Sequence, residues 1–323
     1  MRLLTRRLRF REDQTFKIVQ FTDVHWNDVF NKNQKIVKSA EEGNTRSREL
    51  MQRVISLEQP DLIVFTGDVI SAYSCEDPLR SFRLAVSAAE ESGIPWAVVF
   101  GNHDTEAKIT REQLMDCVLE HQGTVTSAGP ADLPGCGNYV LEIGDAAGRT
   151  AAALYFLDSG NESAVPGVRG YDWIRREQVN WYVEQSRRLK AANGGSTLPA
   201  LAFFHIPLPE YQLLWDHGHC VGSKYEQVCC PPVNSGLHAA MVEMGDVMGT
   251  FVGHDHVNDF EGEWHGIRLC YGRASGFNTY GLSWFPRGAR VIQLTEGERS
   301  FDTWIRLEDG SLLRNTERIT QEA

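Results

Sequence analysis

The chain lacks any apolar run long enough to form a signal-peptide core or cross a membrane, so the expectation is a cytoplasmic protein with no membrane partner. It also lacks a basic excess. Forty-three acidic side chains stand against 32 basic ones, for a formal charge of −11. That balance opposes the counterion release on which polynucleotide binding depends, and no nucleic-acid partner is expected. Cysteine is sparse and its spacing carries no pattern. The seven residues Cys75, Cys117, Cys136, Cys220, Cys229, Cys230 and Cys270 are odd in number and contain no CxxC, which excludes a zinc knuckle and a complete disulfide framework. Cys229 and Cys230 lie in a polar loop with no spacing that assigns them a role. Repeats and low-complexity tracts are absent, and the Gly/Pro clusters are short enough to be turns, so residues 1–323 are read as one domain, with strands and tail from 289 to 323 on the same core.

What is present is an ordinary enzyme-like composition, 42% hydrophobic and 23% charged, with eight tryptophans. Short β-branched or aromatic runs at Phe16 to Thr22, Asp61 to Thr66 and Pro95 to Phe100 predict buried strands. Helical patterns separate them. One begins near Asn44 or Thr45 and runs to Gln59, where Pro60 stops it. A second covers Pro78 to Ser92, and a third opens at Thr110 with Gln113 in capping-box spacing and closes at Gly123. Further strands are predicted at 139–143, 151–157, 200–205, 249–252, 267–271, 289–294 and 303–307, and helices at 172–191 and 235–244. The basic opening, residues 1–13, reads as an edge strand. So many strands fit two sheets between helix layers better than one open sheet, and the predicted fold is a mixed α/β, four-layer α/β/β/α sandwich.

Five blocks rich in oxygen and imidazole donors fall directly after apolar runs: Asp23-Val24-His25, Gly67-Asp68, Gly101-Asn102-His103-Asp104, His205, and Gly253-His254-Asp255-His256. Strand ends are where α/β proteins build sites, and a charged side chain there needs a partner or a metal to offset its desolvation. Singly, each block reads as a cap, a turn or a core histidine. Five of them in series point to metal binding.

In that order the blocks resemble the calcineurin-like metallophosphoesterase superfamily, whose pattern is D-x-H, G-D, G-N-H-[DE], H and G-H-x-H, from residue 17 to about 295. The resemblance implies that Asp23, His25, Asp68 and His256 hold one divalent ion, and Asp68, Asn102, His205 and His254 a second. Two cations about 3.5–4 Å apart require a shared anionic ligand, here Asp68. It further implies in-line attack by a metal-bridging hydroxide, with His103, not a ligand, acting as acid or charge stabiliser toward the leaving group.

Other stretches, YFLDSG (155–160), RGYDWI (169–174), FHIPLPEY (204–211), VNSG (233–236), GHDHVNDF (253–260) and LCYGR (269–273), resemble the purple-acid-phosphatase-like subgroup of plants and fungi, which includes proteins called probable inactive purple acid phosphatases. The chain departs from the purple pattern. Ser71 stands where purple enzymes have the tyrosine that colours their iron, and His25 replaces the glycine of their first block. The resemblance therefore implies two divalent ions drawn from manganese, iron or zinc. Ser71 also stands where the superfamily's protein phosphatases place an aspartate that orients the catalytic histidine, and Asp104 is the substitute considered. Asn27, Asp28, Glu210, Tyr211 and Asn258 follow ligand blocks closely enough to reach a substrate rim, while Trp173, Trp181 and Tyr182 read as core packing. The expected function is hydrolysis of a phosphate ester, a monoester favoured, from a small molecule or a phosphoprotein. The alternatives are a phosphodiesterase with the same site and a non-catalytic binding module on the same fold.

Overall fold

The structure is a computed structural model and describes residues 8–29, 36–106 and 108–320. Its elements in chain order are β1 (Leu8–Arg9), β2 (Thr15–Phe21), α1 (Ala40–Glu58), β3 (Leu62–Thr66), α2 (Pro78–Ala85), α3 (Ser87–Ser92), β4 (Trp96–Val99), α4 (Arg111–Leu119), β5 (Tyr139–Gly144), β6 (Thr150–Phe156) and α5 (Arg176–Ala192). There follow β7 (Ala200–Phe203), α6 (Pro209–His217), β8 (Cys220–Lys224), α7 (Leu237–Met244), β9 (Val247–Val252), β10 (Glu261–Trp264), β11 (Ile267–Tyr271), β12 (Gly288–Thr295), β13 (Phe301–Leu307), β14 (Leu312–Leu313) and β15 (Arg318–Thr320).

Two sheets form. One has the order β14-β13-β12-β2-β3-β4 and the other β1-β5-β6-β7-β9-β11-β10-β8-β15. Strand side chains alternate between faces, and here both faces are buried, which is why the strands read as continuous apolar runs. In β2, Phe16 and Ile18 enter the core between the sheets, while Val19 and Phe21 pack toward the helices. In β3, Leu62 and Val64 face the other sheet, and Ile63 and Phe65 join Leu50, Val54 and Phe82 of the helix layer. The second sheet repeats the scheme: Leu201, Phe203 and Phe251 point inward, and Ala200, Ala202 and Val252 pack with Trp181, Tyr182 and Leu237 of α5 and α7. Three apolar layers thus separate helices, sheet, sheet and helices, giving the four-layer sandwich. Polar stitches cross between the sheets, among them buried Gln20 of β2, which donates to Val252 O of β9 at 3.0 Å and to Thr66 Oγ1 at 2.8 Å.

Several element bounds differ from expectation. The helix expected from Asn44 begins four residues earlier, because Ser39 accepts from the Glu42 amide at 3.0 Å and caps it. Gly43 sits inside that helix where the side chain of Asn278 packs so close that a Cβ would stand 2.0 Å from its Oδ1. The single helix expected over 78–92 is two, broken at Val86 (φ −87°, ψ 0°). There the Ser87 hydroxyl donates to Leu84 O at 2.7 Å, competing with the backbone. The capping box of Thr110 and Gln113 is present, but α4 stops at Leu119 rather than Gly123. Of the expected opening strand, Leu8–Arg9 pairs at the edge of its sheet beside β5, residues 10–13 leave it for a turn, and residues 1–7 lie outside the described residues. β12 and β13 extend the first sheet beside β2 and β15 ends the second, while 321–323 lie outside the described residues. No helix among the described residues is long and apolar enough to cross a membrane.

Candidate metal centre

The parallel strands β2, β3 and β4 end side by side, as do β7 and β9. Each releases its donor-rich block at that end. Backbone hydrogen bonds lock the blocks together: the Asp23 amide donates to Gly67 O (3.1 Å), His25 to Asp68 O (2.9 Å), and Gly253 to His205 O (3.1 Å). The sheets are joined where the His254 amide donates to Asp23 Oδ1 at 3.0 Å. Of the seven non-glycine residues with positive φ among the described residues, four belong to these blocks: Asp23 (53°), His25 (48°), Asp68 (50°) and His254 (78°). Such conformations cost about 1–3 kcal/mol each and persist where the surroundings over-determine them. The concentration marks the strand ends as a site.

Two donor clusters result. Asp23, His25, Asp68 and His256 bring one ligand atom each to within 4.8 Å of one another, and Asp68, His205 and His254 do the same. Asp68 belongs to both. His25 Nε2 lies 3.1 Å from His256 Nε2, His205 Nε2 lies 3.1 Å from Asp68 Oδ2, and His254 Nδ1 lies 3.3 Å from His205 Nε2. The opposite ring nitrogens are tied down: His205 Nδ1 donates to Thr66 O at 2.7 Å, and His25 and His256 Nδ1 are hydrogen-bonded to Ser71 Oγ (2.8 Å) and Thr279 Oγ1 (2.9 Å). Partners of this kind orient imidazoles toward an ion. Asn102, buried next to them, leaves its Oδ1 without a partner, and Asp68 Oδ2 sits in no well-directed hydrogen bond although imidazoles surround it. Imidazoles bound to one ion at about 2.0–2.1 Å bring their nitrogens roughly 3 Å apart, so the His25–His256 spacing fits a metal between them. The donor set, neutral imidazole, carboxylate and amide, suits manganese, iron or zinc.

The electrostatics agree. Burial raises the Asp23 carboxyl, but the hydrogen bond and charge of His256 outweigh it and bring the group to about 2. Asp68 is likewise held well below the usual carboxylate range, since the charges of His205 and His103 overcome its burial. Burial depresses His25 and takes His254, which also faces His205, down to about 3. Both imidazoles are thus neutral and able to ligate.

His103 stands outside both clusters. Its amide donates to Asp68 Oδ1 at 2.8 Å, and its side chain, 41% exposed, has Nδ1 2.7 Å from Glu106 Oε1. Burial lowers its pKa, but Asp68 and Glu106 overcome that and raise it to about 9. With His25, Ser71, Tyr73, Glu106, His256 and Tyr280 it lines a cavity of about 310 Å3 that opens onto the ligand rings. A larger hollow of about 630 Å3, between Trp26, Arg48 and Arg80, contains none of the clustered side chains, and nothing there points to the chemistry.

The rim candidates divide. Asn27 lines the cavity. Asp28 caps the chain at Glu76 and Ser81, Glu210 holds Asn234, Tyr211 hydrogen-bonds to Thr250, and Asn258 accepts from the amides of Tyr225 and Glu226, so these four have structural work. Trp181 and Tyr182 are core, as expected, while Trp173 is only half-buried, under Arg175. Asp104 does not reach His103, because its two oxygens accept from the amides of Ile70 and Gly101. The sequence reading missed Ser71, Thr279 and Glu106 as partners of the histidines. The first two are distant in the chain, but a carboxylate three residues after His103 in a turn was a usable signal.

Residues 16–258 match the calcineurin-like phosphoesterase family. Probable inactive purple acid phosphatase 29 of Arabidopsis thaliana is 38% identical over 334 residues, covering 95% of this chain and 86% of its own length. Phosphatase DCR2 of Saccharomyces cerevisiae is 32% identical, covering 93% of this chain, which spans 55% of that longer protein. A dimetal phosphatase from Danio rerio has a similar structure, with TM-score 0.58 at 14% identity over 89% of this chain and 98% of its own. A purple acid phosphatase from yellow lupin seeds also gives TM-score 0.58, at 13% identity over 96% of this chain and 54% of its own, and these two likenesses bear on the fold.

Proposed function

This chain belongs to the calcineurin-like phosphoesterase family, and from that premise we propose that it hydrolyses phosphate monoesters with two divalent metal ions. The observation that carries the reading is the pair of donor clusters sharing Asp68. Asp23, His25, Asp68 and His256 would hold one ion, and Asp68, Asn102, His205 and His254 the other. Bound there, the ions supply Lewis acidity toward a phosphoryl oxygen and acidify water from about 15.7 toward 7. The protein's own part is orientation and proton supply. Thr66 O, Ser71 and Thr279 fix the ligand imidazoles. His103, protonated by virtue of its raised pKa and lining the cavity, is placed to donate a proton to a leaving oxygen or to steady its charge. Nearby cations would pull that pKa back toward neutrality.

The name "probable inactive" belongs to plant relatives, whereas this chain has two buried Asp/His clusters that share Asp68, and the yeast relative is named a phosphatase. That favours catalysis over a binding module and a monoester over a diester. A small molecule or a phosphoprotein is the substrate in this reading.

The test is elemental analysis of the purified protein with hydrolysis of p-nitrophenyl phosphate and bis-p-nitrophenyl phosphate under manganese, iron(II) or zinc. The expected result is about two ions per chain and faster turnover of the monoester. Asp68→Asn should lose metal and activity together, whereas His103→Ala should keep its metal and slow turnover by about 10²–10⁴-fold. Preferential diester cleavage would replace the monoesterase reading, and absence of both metal uptake and turnover would favour the binding module.

A further inference from the structure

The orientation of His103 depends on a residue that no ligand pattern identifies. An imidazole used toward substrate through one nitrogen needs the other nitrogen held, or the ring rotates and its tautomer is unspecified. Three nearby side chains could hold it. Ser71 is committed elsewhere, with its Oγ 2.8 Å from His25 Nδ1. Asp104, the next residue, points away, accepting from the Ile70 amide at 3.0 Å and the Gly101 amide at 2.7 Å. Glu106 remains. Its Oε1 lies 2.7 Å from His103 Nδ1, and its Oε2 accepts from the Tyr73 amide at 3.4 Å, so the carboxylate is braced at both ends. Both residues line the cavity that opens on the ligand rings.

We propose that Glu106 is the positioning residue for His103: it accepts the Nδ1–H, fixes the ring plane and leaves Nε2 as the nitrogen presented to the cavity. The geometry follows from the chain turning back after β4, which places residues 103 and 106 on one side while 104 turns inward to hold the Ile70 and Gly101 amides. The Tyr73 amide ties Glu106 to the segment that follows Asp68, so hydrogen bonds link His103 and Glu106 to the Asp68 loop. The proposal rests on the hydrolase reading for its catalytic consequence, but not for its structural content.

Two measurements separate these. In metal-free protein, Glu106 should give His103 a slowly exchanging Nδ1–H resonance in a 1H–15N correlation spectrum, lost in Glu106→Ala and retained in Glu106→Gln, whose amide oxygen can still accept. In metal-loaded protein, Glu106→Ala should lower kcat on the order of 10–100-fold, with KM and metal content within about twofold of wild type, and Glu106→Gln should recover most of kcat. A wild-type protein with the resonance but no turnover would sink the hydrolase reading and leave the positioning contact standing. A wild-type spectrum without the resonance, or a Glu106→Ala variant with unchanged spectrum or unchanged kcat, would overturn the proposal.

Discussion

Replacing Gly67 by alanine probes how tightly the strand ends are packed around the centre. Gly67 lies between β3 and Asp68 at φ +90°, beyond the left-handed basin that L residues tolerate. The backbone cost is about 1–2 kcal/mol. The added Cβ would also stand 2.4 Å from His205 Nδ1, 2.6 Å from its Cγ and 2.7 Å from the Gly101 nitrogen. His205 cannot retreat freely, because it is fully buried and its Nδ1–H donates to Thr66 O at 2.7 Å. Displacing the ring breaks that bond and leaves the buried Nδ1–H without its acceptor, at about 1–3 kcal/mol. Together the expected loss is about 2–5 kcal/mol. Gly93→Ala is the control: it too has positive φ (+70°), but its Cβ meets nothing within 4 Å, so it should show the backbone cost alone. Urea denaturation of chelator-treated protein gives both values, provided m is unchanged. Metal titration gives the second readout, since only Gly67→Ala pushes on a proposed ligand and only it should bind metal more weakly. Equal destabilisation of the two variants with equal metal binding would refute the claim that His205 is held by this contact.

Two further outcomes follow from the same geometry. Ser71→Ala removes the hydrogen bond on His25 Nδ1 and should weaken metal affinity about 10–100-fold with little change in metal-free stability; unchanged affinity by competition with a chelating dye would show that Ser71 does not orient the ring. Burial lowers the pKa of His205, but the Asp68 carboxylate more than offsets it and raises it from 6.5 to about 9. In the metal-free protein this group therefore adds stability below about pH 6.5 that is lost as pH rises through about 9. An ion must displace that proton, so loading at pH 7 should release it and affinity should climb with pH toward about 9. Calorimetry in two buffers of different ionisation enthalpy measures the release, and identical heats in both would contradict it.

What the sequence discloses and what it hides follow one physical line. Strands buried on both faces, such as Leu62–Thr66 and Val247–Val252, announce themselves as continuous apolar runs, and a donor block directly after such a run has few places to go. Short strands toward the end of the second sheet give weaker signals: Cys220–Lys224 and Glu261–Trp264 are part-exposed and glycine-bearing, and they were missed. So was α6, which Pro209 opens, because its sequence lies directly against the His205 block and reads as part of that loop. The break at Val86 depends on one serine hydroxyl, the early start of α1 on the Ser39 cap, and the glycine inside that helix on a contact more than 200 residues away, at Asn278.

The site divides in the same way. The types of the proposed ligands were legible because histidine, aspartate and asparagine directly after buried strands suit divalent-metal chemistry. Their orientation was not, because Ser71 reaches His25 across 46 residues and Thr279 reaches His256 across 23, and common hydroxyl residues become partners only once strand ends distant in the chain meet. Glu106 is the instructive exception. It is local to His103, yet attention falls first on Asp104, which is nearer in sequence but turned the other way. In a tight turn the neighbouring residue points across the chain and the residue three positions on returns to the same side. A carboxylate at that offset from an unligated histidine is therefore a better guide to an orienting partner than adjacency.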